Sequence, residues 1–490
     1  MDSIEIPIEN IRLIKAKAKE ILNLIVEAKN NVVIVSLGNP DNLCATGILM
    51  KSFQQLSIGS HAIIAESGKN LNKRLRNFEY TSLFFIGFQI NDIPKPIIED
   101  KDARIVFINH EIIFKEENDN LIDRIHTLTL NQFDLPVSAI SNSGLAYYIA
   151  EGFDEEYQKF AGLAIIGALN KKQVNPKNQE LIGLNSMILD EGKREGYLSE
   201  TKGTRIPGRE NQPIHLALKY SINPYFPGLT GNESACTSFV SRLGIRMENQ
   251  EGIKRTIASL SKEETKKLND ELISLLMENK NQSLVDIYKL IGPIYILNKE
   301  IEKSQTRNAE EFLWLLDGAC QLKKCSLALS VILGDRKNLY DQLLRELSNY
   351  HGKASQIIEE ITNNPEIIEN KTYFRVIDGS EIFDSETASL VINALIESSI
   401  IPVDLPLFVT VKEGKSKFLY VYESPLNVKK GFLIYHSALD LENQDIVDDI
   451  QGNEKFFRMN IDEDKFDIII DSLEKSLIYH HEGNREEEEE

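Results

Sequence analysis

Six basic residues fall between positions 202 and 246: Lys202, Arg205, Arg209, Lys219, Arg242 and Arg246, against only Glu210 and Glu233. Guanidinium groups take phosphate oxygens in pairs, so a stretch of this kind suits an anion such as a phosphate or a single-stranded nucleic acid. Arg205, Arg209 and His215, with Arg307 further along, are the residues that would make such contacts. They could equally close ion pairs within the chain, and a basic stretch this mild is most often solvated surface. The chain as a whole is acidic, with a formal net charge of −20, which argues against general affinity for nucleic acid. From Asp440 to Glu490 there are 18 acidic and 5 basic residues. The four cysteines, Cys44, Cys236, Cys320 and Cys325, form no CxxC pair. Cys320 and Cys325 alone are too few ligands for zinc, and a reduced, intracellular compartment is expected.

The elements that would position these groups are readable in part. A chain of 490 residues suggests two to four domains. No segment approaches the roughly 18 unbroken apolar residues of a membrane span, and the opening MDSIEIPIENIRLIKAK has no apolar core of a signal peptide. Ile11, Ile14, Ala18, Ile21, Leu22 and Ile25 recur at helical spacing. Short apolar runs follow at Val32–Ser36, His61–Ala65, Ser82–Gly87 and Arg104–Asn109, with a helix over Leu43–Leu56. That alternation predicts a parallel sheet covered on both faces. A helix-rich block spans Leu145–Leu169, and the segment from about 176 to 250, rich in Gly and Pro, reads as irregular. From Ile253 to Thr362 the pattern is helical, with a capping box at Ser261 and Glu264 and Leu260 as its staple. Trp314, spaced helically with Phe312, Leu315 and Leu316, is expected in the core. Beyond Tyr373 strands are predicted at Leu407–Val411, Lys417–Tyr422 and Phe432–Tyr435, in a small α/β domain ending near Leu477. The like-charge run from Arg485 to Glu490 reads as disordered.

Several stretches carry a resemblance. Val33 to Asn42, reading VIVSLGNPDN, resembles the first motif of DHH phosphoesterases, Ser-His-x-Asp-x-Asp-Gly, at the end of a first strand. Phe84-Phe85-Ile86-Gly87 resembles the second motif, Ile108-Asn109-His110-Glu111 the DHH triplet, and Ile166 to Lys171 the Gly-Ala-x-Gly-Asp motif. Downstream, Arg205–Arg209, Pro213-Ile214-His215 and Tyr220 to Glu233 are similar to the archaeal RecJ-like branch of the family, as are Arg307 to Phe312 and Leu333-Gly334-Asp335. The resemblance touches most of residues 30–345. It implies an α/β fold: a DHH-type parallel-sheet domain flanked by helices over 1–175, and a largely helical insertion region over 176–365. A smaller α/β DHH-associated domain over 373–479 and an acidic tail over 480–490 would follow.

Active family members hydrolyse phosphodiesters with two divalent cations about 3.5–4 Å apart, held by oxygen and histidine ligands. Carried over residue by residue, the resemblance places the first-motif histidine at Leu37 and its aspartates at Asn39 and Asp41. The second motif offers no carboxylate at Phe85 or Gly87. The DHH triplet becomes Asn109, His110 and Glu111, and the last aspartate becomes Lys171. A lysine there repels a cation: two unit charges 4 Å apart repel by about 4 kcal/mol at an effective dielectric of 20. Only Asp41, His110 and Glu111 could still coordinate, enough for one weak Mg²⁺ or Mn²⁺ and not for a bridged pair. Asp41 before a helix also suits an N-cap, and a lone His at a strand end is more often a hydrogen-bonded structural residue. The family's glycine-rich phosphate loop would fall at Gly452 to Phe457, where bulk and an acid replace glycine.

The resemblance therefore implies a pseudo-nuclease without catalytic residues, metal or cofactor, related to the cell-division-cycle protein forty-five subunit of the CMG helicase. Its implied role is a cytoplasmic, nucleoid-associated scaffold of the archaeal replicative helicase. The implied partners are the GINS complex, MCM through GINS, and single-stranded DNA along the 202–246 segment between two lobes, with no membrane association. The alternatives are a Mn²⁺-dependent, single-strand-specific 5′→3′ exonuclease or phosphodiesterase, and a stand-alone single-strand binder whose affinity falls steeply with salt.

Overall fold

The computed structural model describes residues 6–488 apart from 29–30, 101, 113–124, 153–154, 223, 279–289, 384, 398–399, 415, 425–426 and 429–432. Its first sheet has five parallel strands, β1 (Val32–Leu37), β2 (Ser60–Ala65), β3 (Ser82–Ile86), β4 (Arg104–Ile108) and β5 (Ile125–Leu128), in the order β2-β1-β3-β4-β5. The first four match the apolar runs. β5 escapes the pattern because its four residues include His126 and Thr127. β-branched and aromatic residues dominate β1, β3 and β4, as a sheet buried on both faces requires. Neighbouring residues on a strand serve opposite faces. On one face Val33, Val35, Phe85 and Phe107 pack with Leu71 and Leu75 of α3 (Leu71–Leu75) and with Ile97 and Ile98 of α4 (Lys95–Ile98). On the other, Phe84 meets Phe53 of α2 (Pro40–Gln55) edge to face, with ring centroids 5.6 Å apart. Each such fully buried side chain contributes roughly 1.5–3 kcal/mol. α1 (Ile8–Ala28) buries Ile14, Ala18, Ile21, Leu22 and Ile25 along one stripe. α5 (Asn142–Glu151) and α6 (Ala161–Asn170) pack against α2, and α7 (Leu184–Arg194) against α6.

The middle of the chain departs from the sequence expectation. Residues 176–250 hold α7, α8 (Ile214–Lys219), α9 (Glu233–Arg242) and β6 (Leu198–Thr204). β6 pairs antiparallel with β7 (Ile291–Leu297), from Leu198↔Leu297 to Thr204↔Ile291, inside the stretch read as all helical. β6 reads LSETKGT, with no apolar alternation, so its strand state is imposed by a distant partner. α10 (Lys262–Glu278) does open on the expected capping box: Ser261 N–H donates to Glu264 Oε2 at 2.9 Å and Glu264 N–H to Ser261 Oγ at 3.2 Å. α11 (Ala309–Gln321), α12 (Cys325–Leu333) and α13 (Asn338–Asn363) follow. Phe312, Leu315 and Leu316 are buried, whereas Trp314 is only half-buried, its ring at the margin of the helix's apolar stripe.

A second sheet has the order β12-β13-β11-β10-β9-β8. Its strands are β8 (Ile368–Asn370), β9 (Arg375–Asp378), β10 (Leu407–Glu413), β11 (Ser416–Tyr422), β12 (Asp448–Asn453) and β13 (Phe456–Ile461). α14 (Ala388–Glu397) packs Val391, Ile392 and Leu395 with β10. α15 (Ile434–Asn443) and α16 (Phe466–Glu488) bury Ile434, Leu441, Ile469 and Leu473 among Phe408, Phe457 and Met459. Two expectations fail here. Ile434 and Tyr435 open a helix rather than close a strand, and residue 432 lies outside the described residues. The charged end is helical to Glu488, with 489–490 outside the described residues. Glu and Arg are good helix formers and extend a helix already nucleated. By contacts the chain divides into two compact units, Met1–Ala217 with Arg246–Asn269 and Ile287–Leu347, and Leu218–Ile245 with Asp270–Asp286 and Ser348–Glu490.

Candidate functional site

The strand order reverses between β1 and β3, because the chain passes from β1 outward to β2 and returns on the other side. The crevice beyond the C-terminal ends of such strands is where parallel α/β sheets place ligands. The turn from β1 into α2 lies there. Asn39, in extended conformation, is the N-cap of α2: its Oδ1 accepts the Asn42 N–H at 3.0 Å. Pro40 supplies the preset first turn. Asp41 is therefore not the N-cap of its own helix. Its carboxylate, fully buried, accepts the backbone N–H of Asn142 at 3.0 Å and of Ser143 at 2.9 Å. These are the first residues of α5, whose own N-cap Ser141 accepts the Gly144 N–H at 3.1 Å. A helix begins with unpaired N–H groups and the positive end of its dipole. Asp41 answers both with a charge-assisted pair of hydrogen bonds. α6 closes over them at Gly167, where a Cβ would lie 1.9 Å from Ser143 Oγ and 2.3 Å from Asp41 Oδ1.

The rest of the crevice is lined by amides. Asn142 Nδ2 donates to Asn42 Oδ1 at 2.8 Å. Gly87 has φ +81°, and a Cβ on it would stand 2.3 Å from Asn42 Nδ2. A side chain at position 87 thus meets both a left-handed backbone and an occupied space. Phe85 serves the opposite face, stacked on Phe107 with centroids 5.0 Å apart, and Leu37 packs into the same far-side cluster. Leu37 is thereby separated from the other residues that the motifs single out. Asn109 is buried and donates from Nδ2 to the Phe88 carbonyl at 3.4 Å. Burial, then the Lys171 ammonium, lower the pKa of His110 from its ordinary value, against the opposing pull of Asp41, Asn142 and Glu111. Asn142 is a side-chain hydrogen-bonding neighbour of His110, whereas the buried Asn109 Oδ1 has no hydrogen-bond partner among the described residues. Lys171 caps the C-terminus of α6, where a cation suits the dipole. Glu111 is exposed, and its carbonyl accepts from Gln89 Nε2 at 3.0 Å.

A bridged pair of divalent cations requires several carboxylates free to bond metal, and these residues do not fit it. Both oxygens of Asp41 are taken by α5, Asn39 Oδ1 by α2, and Lys171 sets a positive charge beside His110. Among the described residues no three His, Cys, Asp or Glu side chains are grouped to hold an ion. Asn42, Asn142, Ser143 and Gly167 are essential to this arrangement. The only readable sign of the α5 contribution is Ser141, a residue type suited to an N-cap.

The basic candidates lie in other surroundings. Arg205 Nε donates to Glu310 Oε2 at 2.9 Å, with a second bond from Nη2 to Oε1, and Nη1 reaches Gln179 Oε1 at 3.2 Å. Arg209 Nε pairs with Glu210 at 2.9 Å, and its Nη1 donates to the Thr204 carbonyl at 2.9 Å. The Glu210 N–H donates to Glu311 Oε1 at 2.9 Å. Burial, with the neighbouring Glu210 carboxylate, pushes Glu311 up to about 8, although the Glu210 N–H and Arg209 favour its charge. Thus the 205–210 loop is tied to the first turn of α11, which explains why the two sequence blocks occur together. Arg307 Nη1 donates to the Glu300 carbonyl at 3.0 Å, and His215 is buried. The Gly-Pro stretch is a set of turns: Ser221 Oγ donates to the Pro224 carbonyl and Thr230 Oγ1 to the Ser221 carbonyl, each at 2.7 Å. Gly452 to Phe457 is the β12–β13 hairpin. Gly452, at φ +129°, would place a Cβ 2.4 Å from the Phe456 carbonyl oxygen. Its glycine serves strand approach, and the turn is closed by Asn453 Oδ1 accepting the Lys455 N–H at 2.9 Å.

Residues 206–291 match the DHH-CID domain family. The whole architecture is similar to CDC45 from Entamoeba histolytica, with TM-score 0.65 and 12% identity over 95% of this chain and 99% of that one. The fold is like that of the RecJ structures as well. Exonuclease RecJ bound to manganese matches with TM-score 0.55 and 13% identity over 95% and 94% of the two chains. RecJ in complex with Mn²⁺ from Thermus thermophilus gives 0.52 and 12%, covering 95% of this chain and 55% of that one. No curated protein matches the sequence. Among the described residues no helix is long and apolar enough to cross a membrane.

Proposed function

We propose that this RecJ-like chain is a non-catalytic replication factor, a scaffold in the archaeal replicative helicase assembly that binds GINS and, through it, MCM, with single-stranded DNA as a further partner. The observation that carries the reading is the use of Asp41. Its carboxylate, retained from the first motif, joins α2 to α5 through two backbone N–H groups instead of facing an open crevice. A crevice lined with Asn39, Asn42, Asn109 and Asn142 and faced by Lys171 lacks the negative charge that phosphodiester hydrolysis with paired cations needs. The likeness to CDC45 over nearly the full length of both chains supports the replication setting. The engagement of Arg205 and Arg209 by acids of the same chain weighs against a large DNA footprint at those two residues.

The likeness to exonuclease RecJ supports the competing reading, a manganese-dependent single-strand exonuclease. One experiment separates the two. Purified chain is mixed with GINS at micromolar concentration and, in parallel, with 5′-labelled single-stranded DNA and Mn²⁺. A stoichiometric GINS complex with intact DNA is the expected outcome. Release of mononucleotides that stops in Asp41→Ala, without a GINS complex, overturns the scaffold reading.

A further inference from the structure

α2 has two ends, and the remodelled crevice occupies only the first. Lys51 lies ten residues beyond Asp41, roughly 15 Å along the helix axis. There the helix borders an open cleft of about 430 Å³, set wholly within the first unit. Lys51, Lys159, Lys299 and Arg336 line it, with Glu300 as the one acid among the described residues. Glu300 is committed: Arg336 Nε donates to its Oε2 at 2.7 Å, a second bond joins Nη2 to Oε1, and Thr306 Oγ1 donates at 2.6 Å. Lys51 and Lys299 thus line a cleft whose acid among the described residues, Glu300, is already bonded to Arg336 and Thr306. The Lys51 pKa is lowered first by burial and then by Arg336, against the pull of Glu300, with Lys159 lowering it further. On a chain of net charge −20, such a concentration of cations stands out.

The floor is apolar, formed by Leu163, Leu198, Leu297 and Ile332, with Leu333 exposed at its margin. A ligand that satisfies both parts carries apolar side chains and several negative charges. A nucleotide would need a ring face to stack on. Here the cations themselves cover the rings, Lys299 over Tyr197 at 5.7 Å, Lys159 over Phe160 at 5.2 Å and Arg336 over Phe312 at 5.6 Å. We propose that this cleft docks an acidic segment of a partner protein, seating one or two Leu- or Phe-sized side chains on the apolar floor and its carboxylates on Lys51 and Lys299. Apolar anchors in a pocket ringed by charge are a recurrent arrangement for peptide segments, and the lysines would steer its approach. The inference stands apart from the replication reading, since it uses none of the residues of the Asp41 crevice.

The test is fluorescence anisotropy of the full chain with a short labelled peptide carrying Leu and Phe among Asp and Glu residues. Saturable binding is expected that weakens as salt rises. Lys51→Gln and Lys299→Glu should each weaken it by about five-fold or more, with melting temperatures kept close to that of the parent chain. Lys73→Glu, on α3 away from the cleft, should leave it unchanged. The proposal is overturned by absence of saturation below about 100 μM, by equal affinity of the parent chain and both cleft variants, or by displacement of the peptide by oligothymidylate. Tighter binding of a peptide made from residues 478–490 of this chain overturns it too, in favour of self-docking.

Discussion

At the scale of single residues, the structure turns on how one buried carboxylate is satisfied by backbone N–H groups. Asp41 pairs with two N–H groups in a fully buried setting. Asp41→Ala would strand both donors, at a cost of roughly 2–5 kcal/mol. Asp41→Asn keeps one acceptor oxygen and should cost less, about 1–3 kcal/mol. Urea unfolding of the two variants checks the order, and equal stability of Asp41→Ala and the parent chain would contradict the assignment. Glu311 gives a second residue-level expectation. Its folded pKa of about 8 lies above that of an unfolded glutamate, roughly 4.3. The contribution is therefore fully present below about pH 4 and lost as pH rises toward 8. Burial of the ionised form could cost up to about 5 kcal/mol on this basis. Between pH 5 and 9 the parent chain should lose stability that Glu311→Gln does not, as read from paired melting curves. Neither role was visible from residue types alone. Asp41 before a helix suggests an N-cap, and only the spatial approach of α5 shows that Asn39 holds that place. Glu311 resembles any acid in a first helical turn until the Glu210 N–H is brought to it.

At the scale of elements, legibility follows how local the determining interactions are. Four strands of the parallel sheet and the stripe of α1 could be read because each is written in one continuous apolar pattern. The capping box at Ser261 and Glu264 could be read because both partners lie within three positions. β6 and β7 could not, since their pairing joins residues about ninety positions apart and β6 is polar throughout its middle. The site shows the same division. The sequence motifs located the crevice, but the closing of α6 onto α2 and α5 depends on Gly167, whose role is purely one of space. Gly167→Ala places a methyl group within van der Waals overlap of Ser143 Oγ and Asp41 Oδ1. Alanine would ordinarily favour a helix by roughly 1 kcal/mol over glycine. Here the variant should instead be destabilised by about 2 kcal/mol or more through overpacking, and a rise in its unfolding midpoint would show that α6 is not seated as described.

For the whole molecule, two units built on separate sheets share one chain whose fold is recognisably RecJ-like. A ligand bound only by the native state raises its stability in proportion to the logarithm of its concentration over Kd. An intact two-cation centre would couple folding to manganese in this way. With Asp41 spoken for and Lys171 beside His110, the chain should melt within about 1 °C of the same temperature in EDTA and in millimolar Mn²⁺. A clear upward shift that disappears in His110→Ala would show that a cation still binds and would weaken the scaffold proposal at its base.

Gly87 carries a consequence for substitution at the crevice. Its left-handed backbone and the Asn42 amide packed against it disfavour an acid at that strand end. Asn42 would have to yield first, and with it the link to Asn142. An acid at this strand end therefore requires positions 42 and 87 to change together, so the two behave as one unit.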